Sequence, residues 1–583
     1  MQWTGRIRGS LCFALAAALI SWGHGYPQTA AAPSRQVSTQ PSNIVQSKPD
    51  TLEARPISFE EVLSRSGISF QLKNSISPQR YLIETMLGGV ALLDYNNDGL
   101  LDIFFTNGAA IPSLEKSAPG YFNRLYRNNG DGTFTDVTEK AGAAGIGYSI
   151  GVGAGDFDND GYEDLYIAGF NRNQLLHNNG NGTFTDITEK AGVGGFQGKK
   201  KPWAVTAGWF DYNNDGLLDL LVVNYLDYDL TNAKLCEIDK VRTYCSPDNF
   251  KGTANILYKN NGDGTFSDVS ATSHIDRYIG KGMGVSFADY DNDGFTDVFV
   301  SNDTSPNFLL KNNGDGTFKD VALESGVAYN AGGGVVAGMG VDFRDMDNDG
   351  RPDIFHTAMT GDTYPTYRNA GDQFEDVTET SGMTAYSRRL TGWGTGIYDF
   401  DDDGNKDVFV ANGAILDNEM EVLHRPSLLP NGLLHNEGKF HFRDVSASAG
   451  PEFVSPKAHR GAAFGDINND GKIDAIVTVL NDKPQLFFNK TQNQQHWILL
   501  KLVGIKDNHD GLGTKVKVVT SEGTQYNQAT TAVGYNSSSD KRVHFGLGKT
   551  DVIDRIELHW PSGVQQMLTN VKADQVLTVV ESH

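Results

Sequence analysis

The plainest chemistry in this chain is a set of oxygen donors spaced around a glycine. Asp156-Phe157-Asp158-Asn159-Asp160-Gly161-Tyr162-Glu163-Asp164 puts carboxylates at positions 1, 3, 5 and 9 about a sharp turn. A hard divalent cation can exchange its hydration shell for such a cage. Near copies bring the number of loops to seven. The candidate ligands are Asp94, Asn96, Asp98 and Asp102 in loop 1; Asp156, Asp158, Asp160 and Asp164 in loop 2; Asp211, Asn213, Asp215 and Asp219 in loop 3; Asp289, Asp291, Asp293 and Asp297 in loop 4; Asp345, Asp347, Asp349 and Asp353 in loop 5; Asp399, Asp401, Asp403 and Asp407 in loop 6; and Asp466, Asn468, Asp470 and Asp474 in loop 7. An EF-hand would need a bidentate Glu at position 12 between two helices. Position 12 is Phe105, Ile167, Val222, Val300, His356, Val410 or Val477, each in a strand-like run, so that motif is excluded. Position 7 varies freely from Leu100 to Lys472, as suits a backbone carbonyl ligand. Calcium, up to seven ions, is the expected cofactor. All ligand positions are filled, whereas a catalytic metal keeps one open, so the ions are read as structural. Loops 2, 4, 5 and 6 carry four Asp, while loops 1, 3 and 7 carry Asn at position 3; the four-Asp loops are expected to bind more tightly.

The elements that position these loops recur with a unit of about 55 residues. A Gly-rich apolar run such as Ile150 to Gly155 enters the loop and Leu165 to Ala168 leaves it; a third run, Leu125 to Asn128, meets an Asn-Gly-Asp-Gly turn and then Thr133 to Thr138. Asn-Gly and Asp-Gly supply the positive φ angles of tight hairpins. Four short strands per unit, seven times over, predict a seven-bladed β-propeller at residues 53–490. The seventh unit lacks its Phe-x-Asp-Val strand, and Ile57 to Val62 at the other end of the chain matches it, so the N-terminal strand should complete the last blade and close the ring. The glycines of Gly151 to Gly155 and of Gly332-Gly333-Gly334 are read as room for close strand packing near the axis, because no helix follows them to form a phosphate cradle. Beyond Asn493, the runs Trp497 to Leu502, Lys515 to Val519, Val543 to Gly546 and Ile556 to Trp560 predict a small all-β, sandwich-like domain at residues 491–583.

Arg6 and Arg8, an apolar run from Leu11 to Trp22 and small residues to Ala32 read as a signal peptide over 1–32, followed by a Ser-, Gln- and Pro-rich linker over 33–52. No later stretch has the apolar length of a membrane span. An extracellular or periplasmic location follows, and there Cys236 and Cys245 are expected to form a disulfide. The net charge of −23, from 72 acidic and 49 basic residues, argues against nucleic acid as a partner. No Gly-x-Ser-x-Gly elbow or comparable nucleophile setting occurs, and the 13 histidines are scattered. Against this acidic background, basic residues precede several inner strands. Lys199-Lys200-Lys201-Pro202-Trp203, Arg277 with Lys281, Arg388-Arg389, and Lys457 with His459-Arg460 would gather at one mouth of the channel if the units superpose. Lys201, Trp203, Lys281, Arg388, Arg389 and Arg460 are thus candidates for an anionic ligand or an acidic partner.

The Asp loops with their flanking strands resemble the FG-GAP/VCBS repeats of integrin-type propellers. Asp510-Gly511-Leu512-Gly513-Thr514, Gly534-Tyr535-Asn536-Ser537, His544 to Gly548 and Trp560-Pro561-Ser562-Gly563 resemble an ASPIC/UnbV domain. Together they resemble the cartilage acidic protein and UnbV family over roughly residues 55–581. The resemblance implies a secreted or periplasmic calcium-bound propeller, linked to adhesion-like binding in animals and to enediyne biosynthesis clusters in bacteria, and it brings no settled catalytic mechanism. The degenerate fifth to seventh hairpins and the Asn-bearing loops depart from the pattern and bear on full metal occupancy. The leading expectation is a calcium-stabilised binding or scaffold protein with a protein or carbohydrate partner. The alternative is an enzyme of UnbV type, acting in secondary-metabolite biosynthesis, with its site in the propeller channel.

Overall fold

The computed structural model describes residues 57–196 and 201–583. The expected signal peptide, the linker and Lys199-Lys200 lie outside the described residues. Each repeat folds as a four-stranded antiparallel sheet, in chain order except for the seventh. In unit 2 these strands are Tyr148–Gly155, Asp164–Phe170, Gln174–Asn178 and Phe184–Asp186. The Asp loop joins the first two strands and the Asn-Gly turn joins the last two. The described residues hold seven such sheets, one per loop. Their first strands lie side by side in a β-propeller ring, which closes where His459–Gly465 meets Val90–Leu93.

Closure uses both ends of the repeat region, as the missing seventh strand predicts. Phe59–Glu61 pairs antiparallel with Gln485–Asn489, Phe59 opposite Asn489. Phe59 is buried among Phe400, Phe409, Phe453 and Phe487, with ring centroids 5.6 to 6.3 Å apart. One strand therefore satisfies an open sheet edge and fills an aromatic core between the sixth and seventh sheets.

The C-terminal strands form two sheets, Val543–Gly546, Trp497–Val503 and Gln575–Val580 in one, and Gly523–Gln528, Lys515–Thr520, Val552–His559 and Gln565–Lys572 in the other. Ile498, Leu500, Val516, Val518, Phe545 and Ile556 share the core. The four expected strands are present. The strands at 523–528 and 565–572 escape a sequence reading because their apolar residues are sparse, and Gln575–Val580, though apolar at Val576, Leu577, Val579 and Val580, is largely exposed.

Between these strands, Ala529 to Asp540 leaves the sandwich and threads the axis of the ring. All twelve residues are buried. The Ser538 N–H donates to Val90 O (3.0 Å), Leu92 N–H to Ser538 O (3.0 Å), Val152 N–H to Asn536 O (3.0 Å) and Asp540 N–H to Phe464 O (3.0 Å), while Gly534 and Val341 exchange two bonds (2.7 and 3.1 Å). The inner strand edges of four sheets are thus paired to the plug rather than to water. The small residues of the inner strands make room for it: a Cβ on Gly461 would lie 2.1 Å from Gly88 O and 2.6 Å from Ser537 Oγ. Gly332 to Gly334 do not share that role. They form an exposed turn before the fifth sheet, where Asn330 Oδ1 accepts from the N–H groups of Gly332 and Gly334 (3.0 Å each).

Candidate metal centres and the two faces of the ring

Each Asp loop is held by its own backbone. In loop 2, Asp156 accepts from the N–H groups of Asp160 (3.0 Å) and Gly161 (2.8 Å), Asp160 from Tyr162 N–H (2.9 Å), and Asp164 from Phe157 N–H (3.2 Å) and Asn178 N–H (2.7 Å). Loop 4 repeats these contacts through Asp289, Asp293 and Asp297. Position 6 is Gly in all seven loops, with φ from 82° to 95°, where a Cβ would be strained. Position 4 is also left-handed, φ 54° to 60°, which explains its Asn or Asp.

The carboxylates converge. Single ligand atoms of Asp156, Asp158 and Asp160 lie within 4.8 Å of one another, as do those of Asp289, Asp291 and Asp297, and those of Asp401, Asp407 and His435. Burial pushes Asp102 up to about 8, Asp164 to about 7 and Asp297 to about 8, with neighbouring carboxylates such as Asp98 and Asp94 adding to the shift in loop 1. The donor set fits a hard cation on a further count: Asn213 Oδ1, Asp347 Oδ1 and Asp401 Oδ1, all at position 3, are buried without a hydrogen-bond partner. A divalent ion would be bound by these oxygens and would relieve the carboxylate repulsion.

Two features of the third strand were not predicted from the carboxylate pattern. The first is an Asn clamp. Asn128 Nδ2 donates to Leu101 O and to Ile467 O of the neighbouring loop, and Asn178, Asn260, Asn312, Asn436 and Asn489 repeat the double bond to their own and the adjacent loop. The second is the residue before that Asn, namely Arg127, His177, Lys259, Lys311, Arg368, His435 or Phe488. Lys259 Nζ lies 2.8 Å from Asp215 Oδ2, and His177 Nδ1 lies 3.1 Å from Asp164 Oδ1. An Asn before every turn and a basic residue before nearly every Asn were visible signals, but their partners are in the loops of this and the next sheet.

The loops also join one another. Position-4 Asn side chains donate to the position-6 carbonyl of the next loop at Asn97 to Gly161, Asn159 to Gly216, Asn214 to Gly294, Asn348 to Gly404 and Asn469 to Gly99, with lengths of 2.7 to 3.0 Å. The loop tips reach solvent, with Asp98, Asp160, Asp215, Asp293 and Asp470 exposed, while the C-terminal domain contacts their buried side. His509 Nδ1 lies 3.1 Å from Asp156 Oδ2, Asp510 Oδ2 accepts from Asp156 N–H (2.8 Å), Lys515 Nζ is 2.5 Å from Asp289 Oδ2, and His544 Nε2 is 3.3 Å from Asp402 Oδ1. Trp497 lies 1.9 Å from where a Cβ of Gly471 would be.

The opposite mouth holds the other candidates. Arg460 is buried; its guanidinium donates to Thr85 O (3.1 Å), His459 O (2.9 Å) and Ala414 O (3.0 Å) and lies 4.1 Å from the Trp393 ring centroid. Lys281 is buried and donates to Asp248 Oδ1 (3.2 Å) and Thr304 Oγ1 (3.0 Å). Trp203 packs on Phe170, Tyr225 and Tyr228. Lys201, Arg388 and Arg389 are exposed. Three of the six candidates are thus committed to the fold. Between them and the insertion lies a cavity of about 320 Å³, walled by Met283, Met339, Trp393, Tyr225 and Tyr244. Its rim includes the hairpin of Cys236–Ile238 and Val241–Thr243, and a disulfide joins Cys236 to Cys245.

The FG-GAP-like repeat family matches residues 94–167, 156–222, 245–300, 289–356 and 399–477, and the ASPIC and UnbV family matches 504–583. The chain belongs to the FG-GAP repeat proteins with a C-terminal ASPIC and UnbV domain. Among the relatives of this family member, cartilage acidic protein 1 of Xenopus tropicalis is 25% identical over 498 residues, 82% of this chain and 70% of the relative. The Homo sapiens protein of that name is 25% identical over 529 residues, 87% and 74%. Among solved structures, the BP39L lectin from Burkholderia pseudomallei has a TM-score of 0.43 at 11% identity, covering 70% of this chain and 97% of that one. An Agrocybe aegerita lectin, solved for its recognition of terminal N-acetylglucosamine, has a TM-score of 0.37 at 15% identity, covering 68% and 87%. Among the described residues, no helix is long and apolar enough to cross a membrane.

Proposed function

We propose that this family member is a secreted or periplasmic calcium-stabilised binding or scaffold protein whose partner, protein or carbohydrate, engages the mouth opposite the C-terminal domain. One observation carries the reading: Ala529 to Asp540 fills the channel axis, so the ring lacks an open passage in which a substrate could meet convergent catalytic groups. Two of the carboxylates around the remaining cavity are paired within its walls, while Glu419 and Arg425 line it with no hydrogen bond to another side chain among the described residues. Tyr225 Oη donates to Asp303 Oδ2 (2.5 Å), and Lys281 holds Asp248. Such a mouth offers apolar and aromatic contact rather than a nucleophile with its base. Calcium belongs to architecture here, since its loops support the face that the C-terminal domain contacts. The disulfide suits an oxidising compartment.

The test uses wild-type protein and a Met359→Glu/Leu423→Glu variant, both changes being on the partly exposed cavity rim. Each is applied to a glycan array and to pull-downs from extracellular or periplasmic extract, with and without chelator. Binding that needs calcium and is lost in the rim variant supports the reading. Binding that survives both treatments contradicts it.

A further inference from the structure

Among the differences between the seven loops outside the repeated carboxylates, two set the charge around loop 6. One is the third-strand residue that faces the cage. In loop 3 Lys259 takes Asp215. In loop 4 Lys311 bonds Asp291 and lies 3.0 Å from Asp293 Oδ2. In loop 5 Arg368 reaches Asp347 Oδ2 (2.9 Å) and Asp349 Oδ2 (3.3 Å), and Arg351 also bonds Asp349. These cations occupy carboxylates at positions 3 and 5, from which a divalent ion would draw ligands. In loop 6 the equivalent residue is His435, whose Nδ1 lies 2.9 Å from Asp407 Oδ1.

The other difference is position 4, which is Asn in six loops and Asp402 in loop 6. Loop 6 therefore gathers five carboxylates, Asp399, Asp401, Asp402, Asp403 and Asp407. Among the described residues no Lys or Arg forms an ion pair with any of them. The nearby Lys406 instead donates to Asn348 Oδ1 (3.1 Å). Asp401 is 7% exposed; its Oδ2 lies 3.9 Å from His435 Nδ1, and its Oδ1 is buried without a partner. The C-terminal domain closes the site. Gly548 N–H donates to Asp402 O (2.9 Å), Asn493 bonds Asp401 O, and a Cβ on Gly546 would lie 2.1 Å from Asp399 Oδ2. Five crowded carboxylates faced by two histidines and by no paired Lys or Arg are unfavourable, and a bound dication removes that cost.

We propose that Lys259, Lys311 and Arg368 are the chain's own counter-ions in loops 3 to 5, and that loop 6, sealed by the C-terminal domain, holds the tightest divalent ion. This rests on the calcium reading above and re-sorts the ranking by Asp count, which placed loops 4 and 5 beside loop 6. The full secreted chain, stripped with chelator, is titrated with calcium by calorimetry, and bound metal is counted by atomic emission. Asp401→Asn should abolish the tightest class or weaken it by about tenfold or more, while Asp291→Asn leaves it in place. Lys311→Met should add one bound ion per chain, and Lys311→Arg should not. Circular dichroism reports whether each variant is folded. If Asp401→Asn folds and keeps the tightest class, or if Lys311→Met binds no additional ion, the proposal is overturned. No calcium uptake by the wild type at millimolar concentration would overturn the calcium reading, and this proposal with it.

Discussion

The least conspicuous residues of the repeat hold neighbouring sheets together. Asn260 is buried, its amide bonded to Phe157 O (2.7 Å) and Leu218 O (3.0 Å) while its N–H meets Asp219 (2.8 Å). Asn260→Leu leaves two carbonyls unpaired and should cost about 2–3 kcal/mol, read as a lower urea midpoint; an unchanged midpoint would show that water replaces the clamp. His356 makes a second prediction. Its Nδ1–H donates to Thr357 O (3.2 Å), so Nε2 accepts from Asn307 Nδ2 (3.3 Å), and burial lowers its pKa from 6.5 to about 4. With the folded value below the unfolded one, the unfolded chain takes up the proton first. Stability should therefore fall as pH drops from 6.5 toward about 4, by up to about 3 kcal/mol from this residue. His356→Gln should flatten that part of the pH profile of the melting temperature, and an unchanged slope would assign the acid sensitivity elsewhere. The sequence made the Asp loops legible because their types answer to local backbone needs, Gly161 at a positive φ and Asn159 in the left-handed region. It did not reveal the Asn clamp, because Ile467 lies far from Asn128 in sequence.

Among the elements, local pattern foretold what local pattern controls. Asn-Gly turns marked the hairpins, and Phe59 to Val62 was recognisable as the missing seventh outer strand because it repeats the spacing of the other six. Phe59→Ala should destabilise the protein by about 3–5 kcal/mol, measured by thermal or chemical unfolding, because it empties an aromatic site at the ring's closure. A loss below 1 kcal/mol would mean that the strand contributes pairing and little packing. The segment Ala529 to Asp540 was not legible. It has neither helical nor strand periodicity, and the inner strand edges that pair with it lie far away in sequence. The basic residues before the inner strands were visible, but their burial was not: Arg460 satisfies three carbonyls and stacks on Trp393.

At the scale of the molecule, the repeats and the C-terminal domain form one mechanical unit. The Asp loops meet the sandwich on their buried side, the axial segment ties that sandwich to the inner strands, and the opposite mouth is where the proposed partner would bind. Calcium in the loops should thus stabilise the docking of the C-terminal domain as well as the ring. Binding linkage sets the scale: an ion present at roughly 100 times its Kd stabilises the folded form by about 2.7 kcal/mol, or about two orders of magnitude in opening. The most direct measurement is hydrogen exchange across Ala529 to Asp540, with calcium and with chelator at the same pH. Slow exchange in calcium, becoming about a hundredfold faster in chelator, is the predicted result. Equal protection in both would contradict the coupling of the metal loops to the plugged ring.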